Sequence, residues 1–382
     1  MTAGDAAAGF APPRAASAGL VVAKGLPSAL ALLSGSLLTL IGLTWDVQWH
    51  TDVGPDTFFT LPHLFLYAGS ALAGLSSLGV VLAATVAQRA GRELDPAVGG
   101  RAVAVLRGVF AAPIGHLVAG SGAASFLLYG LWDQWWHGLY GFDAVIDSPP
   151  HIGLLLSVMA TMVGTVMVFA AAKDRRWGQV GTVVSLGVLA AFSTIVVLGL
   201  TGVGGAVDAV SAGLAWLIVL LVLTAAGFAT RPGIAVAVAG ALAVIQLVGW
   251  WFSPWATHVY AEAVGLPIRD YIRGVPVMPA LMPMALLPIA ALVEVLVGRA
   301  RRTGARWLPA ATGALAGALV AGLQGVQDAL VYGYAVPGLA AIAPTAAAGL
   351  LLGALAGVLG WRFGRMLRLV NPARTTSTSK EA

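Results

Sequence analysis

The chain has 382 residues, of which 59% are apolar and only 10% charged, with 49 glycines and no cysteine. A mean hydropathy of +0.89 excludes a water-soluble globule and points to an all-α integral membrane protein, while the formal charge of +5 invites a nucleic-acid reading that the placement of the basic residues rejects. The lack of cysteine excludes disulfides, thiolate copper or zinc sites and cysteine-ligated iron–sulfur clusters, so any metal must sit on His, Asp, Glu, Met or backbone groups.

Residues 1–22 are Ala-rich and lack the basic-then-apolar layout of a cleaved signal, which predicts a disordered cytoplasmic leader. A single polytopic domain is expected over 23–361, followed by a basic cytoplasmic tail at 362–382. Polar interruptions divide the domain into ten apolar runs, near 26–47, 61–88, 103–132, 149–172, 178–201, 206–229, 232–252, 277–298, 308–331 and 338–361. These runs are continuous rather than alternating, which favours spanning helices over the strands of a β-barrel.

Assigning alternate gaps to opposite faces gathers all but two of the 21 Lys and Arg residues on one side, the exceptions being Arg269 and Arg273. By the positive-inside rule that side, with both termini, is cytoplasmic. The basic rim complements anionic lipid headgroups, so the expected partner is the bilayer, with no nucleic acid. The expected location is the cell membrane.

The first span ends in WDVQWHTDVGPDTFFTLPH, residues 45–63. Asp46 and His50 are four apart and share one helix face. Gly54-Pro55 ends that helix and Pro62 suits the first turn of the next, which brings His63 to the same depth. The third span ends in LWDQWWHGLYGFDAVIDSPPH, residues 131–151, where Trp45, Asp46, Trp49 and His50 recur 87 positions later as Trp132, Asp133, Trp136 and His137. His63 returns as His151, one residue out of step. The helix pairs near 26–88 and 103–172 therefore read as a parallel duplication, with further spans over 178–361. Two sites follow, Asp46/His50/His63 and Asp133/His137/His151, both on the extracytoplasmic side.

Two imidazoles and a carboxylate suit Cu(II), Zn(II) or non-haem Fe(II). Asp52, Asp56, Asp143 and Asp147 are available to hydrogen-bond the spare ring nitrogens. The alternative is a metal-free interfacial belt of Trp, Asp and His, against which the duplication of all three ligand types weighs. Bis-histidine haem needs a continuous helix between each pair of histidines. Gly54, Pro55 and Pro62 in one interval, and Gly138, Gly141, Pro149 and Pro150 in the other, exclude it.

The opening stretch resembles the C subunit of the particulate methane and ammonia monooxygenases, the copper membrane monooxygenases. The shared pattern is Asp46, Trp49 and His50, then Asp56-Thr57-Phe58-Phe59-Thr60, then His63 with twelve residues between the histidines, and Tyr67 in the family's aromatic position. The resemblance covers about 25 residues and implies copper at Asp46, His50 and His63, oxygenase activity, and partner subunits. The second copy departs from it, with thirteen residues between its histidines and no Thr-x-Phe-Thr segment. Three functions stay open: a copper-dependent monooxygenase or a subunit of one, with oligomeric partners; a copper or zinc reservoir, delivery or transport protein; and a metal-free structural subunit.

Other polar residues are expected to be structural. His116 opens the third span at the far end from the motifs. His258 falls in a long outer loop, 251–276, read as an interfacial re-entrant segment. Gln324, Gln327 and Asp328 are expected to bridge helices, as the methionines at 278, 282 and 284 are expected to pack.

Overall fold

Prolines and glycines punctuate the helices. Proline in the first turn costs no hydrogen bond, because that N–H has no helical partner. It opens α1 (Leu26–Asp52), α2 (Leu61–Arg89) and α4 (Pro149–Ala171). Left-handed glycines close others: Gly265 ends α7 (Ile234–Val264), Gly304 ends α9 (Leu286–Thr303) and Gly333 ends α10 (Leu308–Tyr332). The remaining helices are α3 (Ile114–Tyr140), α5 (Arg176–Val196, continued by a 3₁₀ turn to Leu200), α6 (Ala209–Phe228), the short α8 (Val277–Leu281) and α11 (Leu339–Leu367).

This computed structural model describes residues 25–92, 94–141 and 146–371, and within them ten helical stretches are long and apolar enough to cross a membrane. The protein is thus a multi-pass, all-α membrane protein. The expected leader at 1–22 and most of the expected tail lie outside the described residues. Large apolar side chains such as Leu75, Leu82, Leu128 and Leu247 are exposed; water would penalise these surfaces, whereas lipid tails solvate them.

Helices approach closely where glycine removes the side chain. In α10 and α11, a Cβ added to Gly313 would lie 2.1 Å from the Gly353 carbonyl oxygen, and one on Gly357 would lie 2.2 Å from that of Pro309. Contact at backbone distance is how helices gain dispersion energy in lipid, which offers no hydrophobic drive for their association. In α1 and α2 the same device brings Gly35 and Gly69 together, fixing the pair that carries the first motif.

Three expectations need correction. Residues 102–113 do not begin a span: Ala102–Val105 (β1) and Phe110–Pro113 (β2) form an antiparallel hairpin, with Ala102 paired to Pro113. Proline cannot donate within a helix, so α3 starts only after Pro113. Residues 251–264 are not a re-entrant loop, because α7 continues through Pro254 to Val264. The eighth span is broken: α8 ends at Leu281 and α9 begins at Leu286. Gln246, Gln324 and Gln327 donate to the carbonyls of Pro279, Ala280, Leu281 and Met282 around this break. Exposed backbone at this depth is tolerable only when satisfied in this way; Gln324 and Gln327 bridge helices as expected, Gln246 joins them, and Asp328 instead accepts from Gln324 within its own helix.

Candidate metal centre

The last turns of α1 present Asp46 and His50 on one face. Val53 leaves the helix, Gly54 takes φ of 103°, and a turn follows in which the Thr57 amide donates to Thr60 Oγ1 and Thr60 Oγ1 donates to Asp56 Oδ1 at 2.9 Å. The indole N–H of Trp49 donates to the Pro55 carbonyl at 2.8 Å, and the Tyr67 hydroxyl donates to that of Phe58 at 3.0 Å. These bonds fold the loop back over the helix ends. Asp56 is thereby brought to the two histidines, with its Oδ2 lying 2.9 Å from His50 Nε2 and 3.4 Å from His63 Nε2. Asp46 Oδ1 lies 3.1 Å from His63 Nε2 and 3.8 Å from His50 Nε2.

Since a carbonyl can only accept, the 3.0 Å contact between His63 Nδ1 and the Thr57 carbonyl places a hydrogen on Nδ1. That leaves Nε2 facing the carboxylates, as a metal ligand requires. Burial alone would raise the Asp56 carboxyl, but the hydrogen bond from His50, the positive charge of His63 and the Thr60 hydroxyl outweigh it and hold the group below the usual carboxylate range.

The second cluster repeats the arrangement. Asp133 and His137 occupy the last turns of α3, and His137 Nδ1 lies 2.9 Å from the carbonyl of Gly141, whose φ of 83° ends the helix. Ser148 caps α4, and two residues into that helix His151 faces its partners. Asp133 Oδ1 stands 3.3 Å from Nε2 of both His137 and His151.

These distances suit an ion. Nitrogen and oxygen ligands about 2.0–2.2 Å from a first-row metal, at tetrahedral angles, are themselves about 3.3–3.6 Å apart. The separations of 2.9–3.8 Å in the first cluster and 3.3 Å in the second bracket that range. Moreover, Asp46 Oδ1 and Asp133 Oδ1 are buried, and each lies within 3.8 Å of two imidazole Nε2 atoms. A buried carboxylate oxygen is costly unless a proton, cation or donor meets it. In each cluster that oxygen faces both imidazoles, so a proton or a metal ion held between them would satisfy it. Asp/His groups that could bind a metal are therefore present, without fixing which metal.

Both clusters line a single cavity of about 400 Å³. Its lining combines the seven Asp and His side chains with apolar ones, among them Leu43, Leu66, Phe126, Leu155, Val158 and Ile195.

All six expected ligands meet in their expected groups of three. Asp56 was expected only to support a ring nitrogen, and it instead joins the first group directly. The signal was present in the Asp-Thr-Phe-Phe-Thr segment, whose threonines make the turn. Asp52 points elsewhere, both of its carboxylate oxygens accepting from the Gln48 amide nitrogen; Asp147 is exposed, and Asp143 lies outside the described residues. His258 is on α7, away from both groups, with its Nδ1 bonded to the Pro254 carbonyl. His116 is fully buried beside Gly99 near the opposite end of α3. Comparison with family models, with curated proteins and with solved structures finds no match.

Proposed function

We propose that this protein holds two copper ions, one at Asp46/His50/His63 with Asp56 as a fourth donor and one at Asp133/His137/His151, and oxidises a small apolar substrate with dioxygen. The observation that carries this reading is the shared cavity, which two imidazole–carboxylate groups line together with apolar side chains. Imidazole and carboxylate without thiolate suit Cu(II), although zinc and non-haem iron share these donors. The resemblance of residues 45–67 to the C subunit of the copper membrane monooxygenases favours copper. The sites are proposed to face away from the cytoplasm, opposite the basic loops.

Copper bound here would supply one-electron chemistry with positions left for dioxygen. The overall change, R–H + O₂ + 2e⁻ + 2H⁺ → R–OH + H₂O, needs an external two-electron reductant. The chain's own contribution is positional. Thr57 and Gly141 orient one imidazole in each cluster, the turn at 57–60 holds Asp56 in place, and the apolar lining excludes water and keeps a C–H bond close to the ligand groups.

Metal analysis of the purified protein tests the reading directly. Two equivalents of copper are expected, one lost in His50→Ala, one in His137→Ala, and both in the double variant. Oxygen uptake with short hydrocarbons or ammonia, with a reductant supplied, then tests oxidation. A second reading, copper storage or delivery, draws on the same two groups, which need only hold an ion and not activate dioxygen. Full loading without substrate-dependent oxygen uptake would select it.

A further inference from the structure

The two clusters differ in the residue that stands one turn below the aspartate on its helix. On α3, residues Phe126, Gly130, Asp133 and His137 fall at i, i+4, i+7 and i+11, one continuous face, and all four line the cavity. Gly130 thus sits one turn beneath the Asp133 carboxylate. A Cβ built on it meets nothing within 4 Å, and its φ is outside the positive range that disfavours side chains. No close helix contact or special turn calls for glycine there, and in a helix interior glycine costs roughly 0.5–1 kcal/mol relative to alanine.

The register between the two motifs gives this glycine a meaning. With Asp46 aligned to Asp133 and His50 to His137, 87 positions apart, Gly130 aligns with Leu43, which also lines the cavity. The space under the first site is therefore filled by an isobutyl group, while the matching space under the second is left open. The floor beyond it is apolar and buried, formed by Phe126, Leu155, Val158 and Ile195.

We infer that the space beneath Asp133, His137 and His151 is the seat of an elongated apolar guest, and that residue 130 sets the length admitted. A dry cavity of about 150 Å³ accepts benzene, so 400 Å³, part of it taken by the polar lining, has room for a guest of roughly six to ten carbons. This inference rests on reading the cavity as a substrate site, and it does not need the metal to be copper. Gly130 acts on guest size alone and holds no ligand.

The test uses the full chain in lipid nanodiscs with n-alkanols from butanol to dodecanol, whose hydroxyl can meet the polar lining while the chain runs toward the floor. Binding is read from the shift in thermal unfolding midpoint for wild type, Gly130→Ala and Gly130→Leu, with metal content measured on the same samples. In wild type, the stabilisation should grow with chain length and stop beyond about ten carbons. A methylene refused by an apolar pocket is worth roughly 10-fold or more, so Gly130→Leu should lose at least 10-fold in affinity for the longest binder while keeping butanol. Gly130→Ala should fall between them, and it decides the matter if the leucine variant does not fold. Identical length profiles in wild type and the variants, or stabilisation that rises without a limit, would overturn the inference. Metal content distinguishes the two failures: two equivalents in every variant with no length cut-off refutes the guest seat, whereas a cut-off in protein that binds no metal refutes the copper reading and leaves the seat standing.

Discussion

Asp56 separates the two clusters more than any other described residue. Its carboxylate reaches both imidazoles of the first group, and its counterpart by register, Asp143, lies outside the described residues. Held ionised by His50, His63 and Thr60 despite its burial, it adds a second negative charge to that group. Removing that charge should weaken the first site alone. In a His137→Ala background, which leaves one site to titrate, Asp56→Asn should lower copper affinity at least 10–100-fold, the usual cost of disturbing even an outer hydrogen-bonding partner; competition against a chelator measures it. The lowered carboxyl also gives a sign for pH. A depressed folded value contributes stability above the unfolded pKa of about 3.9, and that contribution is lost as pH falls through the lower folded value. Metal-free protein should therefore destabilise on acidification below about pH 4, and Asp56→Asn should blunt the loss. The grouping of the six other residues was legible in the sequence because a four-residue interval on a helix, and a proline-opened return helix, leave little freedom. Asp56 was not legible in its role, since nothing periodic fixes a loop carboxylate. Its position depends on the Thr57–Thr60 turn and on the Trp49 indole reaching the Pro55 carbonyl.

At the scale of elements, the ten spans follow from apolar runs longer than a bilayer core, and most ends follow from proline and glycine. The failures share a cause. Residues 102–113 are apolar enough to pass for a helix, yet Pro113 and the left-handed backbone at Leu106 and Arg107 turn them into a hairpin. Residues 251–264 contain a proline and several aromatics that read as loop, but tertiary packing of Tyr260 against Trp45 and Trp49 keeps α7 helical. That extension explains the two arginines that break the charge rule. Arg269 donates to the carbonyls of His50 and Thr51 and its backbone amide to that of Asp52, so it caps the end of α1. Arg273 donates to the Tyr332 carbonyl and stands 5.4 Å from the Tyr334 ring, doing the same for α10. Cations at helix C-termini satisfy carbonyls that have no helical donor. Because His50 lies within the capped turn, Arg269→Ala should loosen the first site without touching the second, at a cost of about 1–3 kcal/mol for partly buried acceptors left unpaired. Gly54→Ala should behave alike: its Cβ would sit 2.0 Å from the Arg269 guanidinium and its φ is 103°. Site-resolved copper titration of both variants checks this; equal weakening of the two sites would mean a general loss of folding.

For the whole molecule, the consequence of ten spans is that both ends of the domain share a side, and that the two clusters, at the C-terminal ends of α1 and α3, share the opposite one. Which side faces the cytoplasm is a question of charge. Arg89, Arg92, Arg175, Arg176, Arg299, Arg301 and Arg302 all lie at the end away from the clusters, and translocating such loops is disfavoured. On the proposed orientation the ligand groups would face the outside, where copper would arrive without crossing the bilayer. The lack of cysteine makes this orientation directly measurable, because each introduced thiol reports alone. Asp147 and Asp270 at the cluster end and Arg302 at the other are exposed, so Asp147→Cys, Asp270→Cys and Arg302→Cys should all fold. In intact cells a membrane-impermeant maleimide should label the first two within minutes and spare the third, and permeabilisation should expose the third. The reverse pattern would put the clusters on the cytoplasmic side and make storage of cytosolic metal the better reading. Labelling of all three in intact cells would contradict a spanning arrangement in which the hairpin at 102–113 and the broken eighth span preserve the alternation of sides.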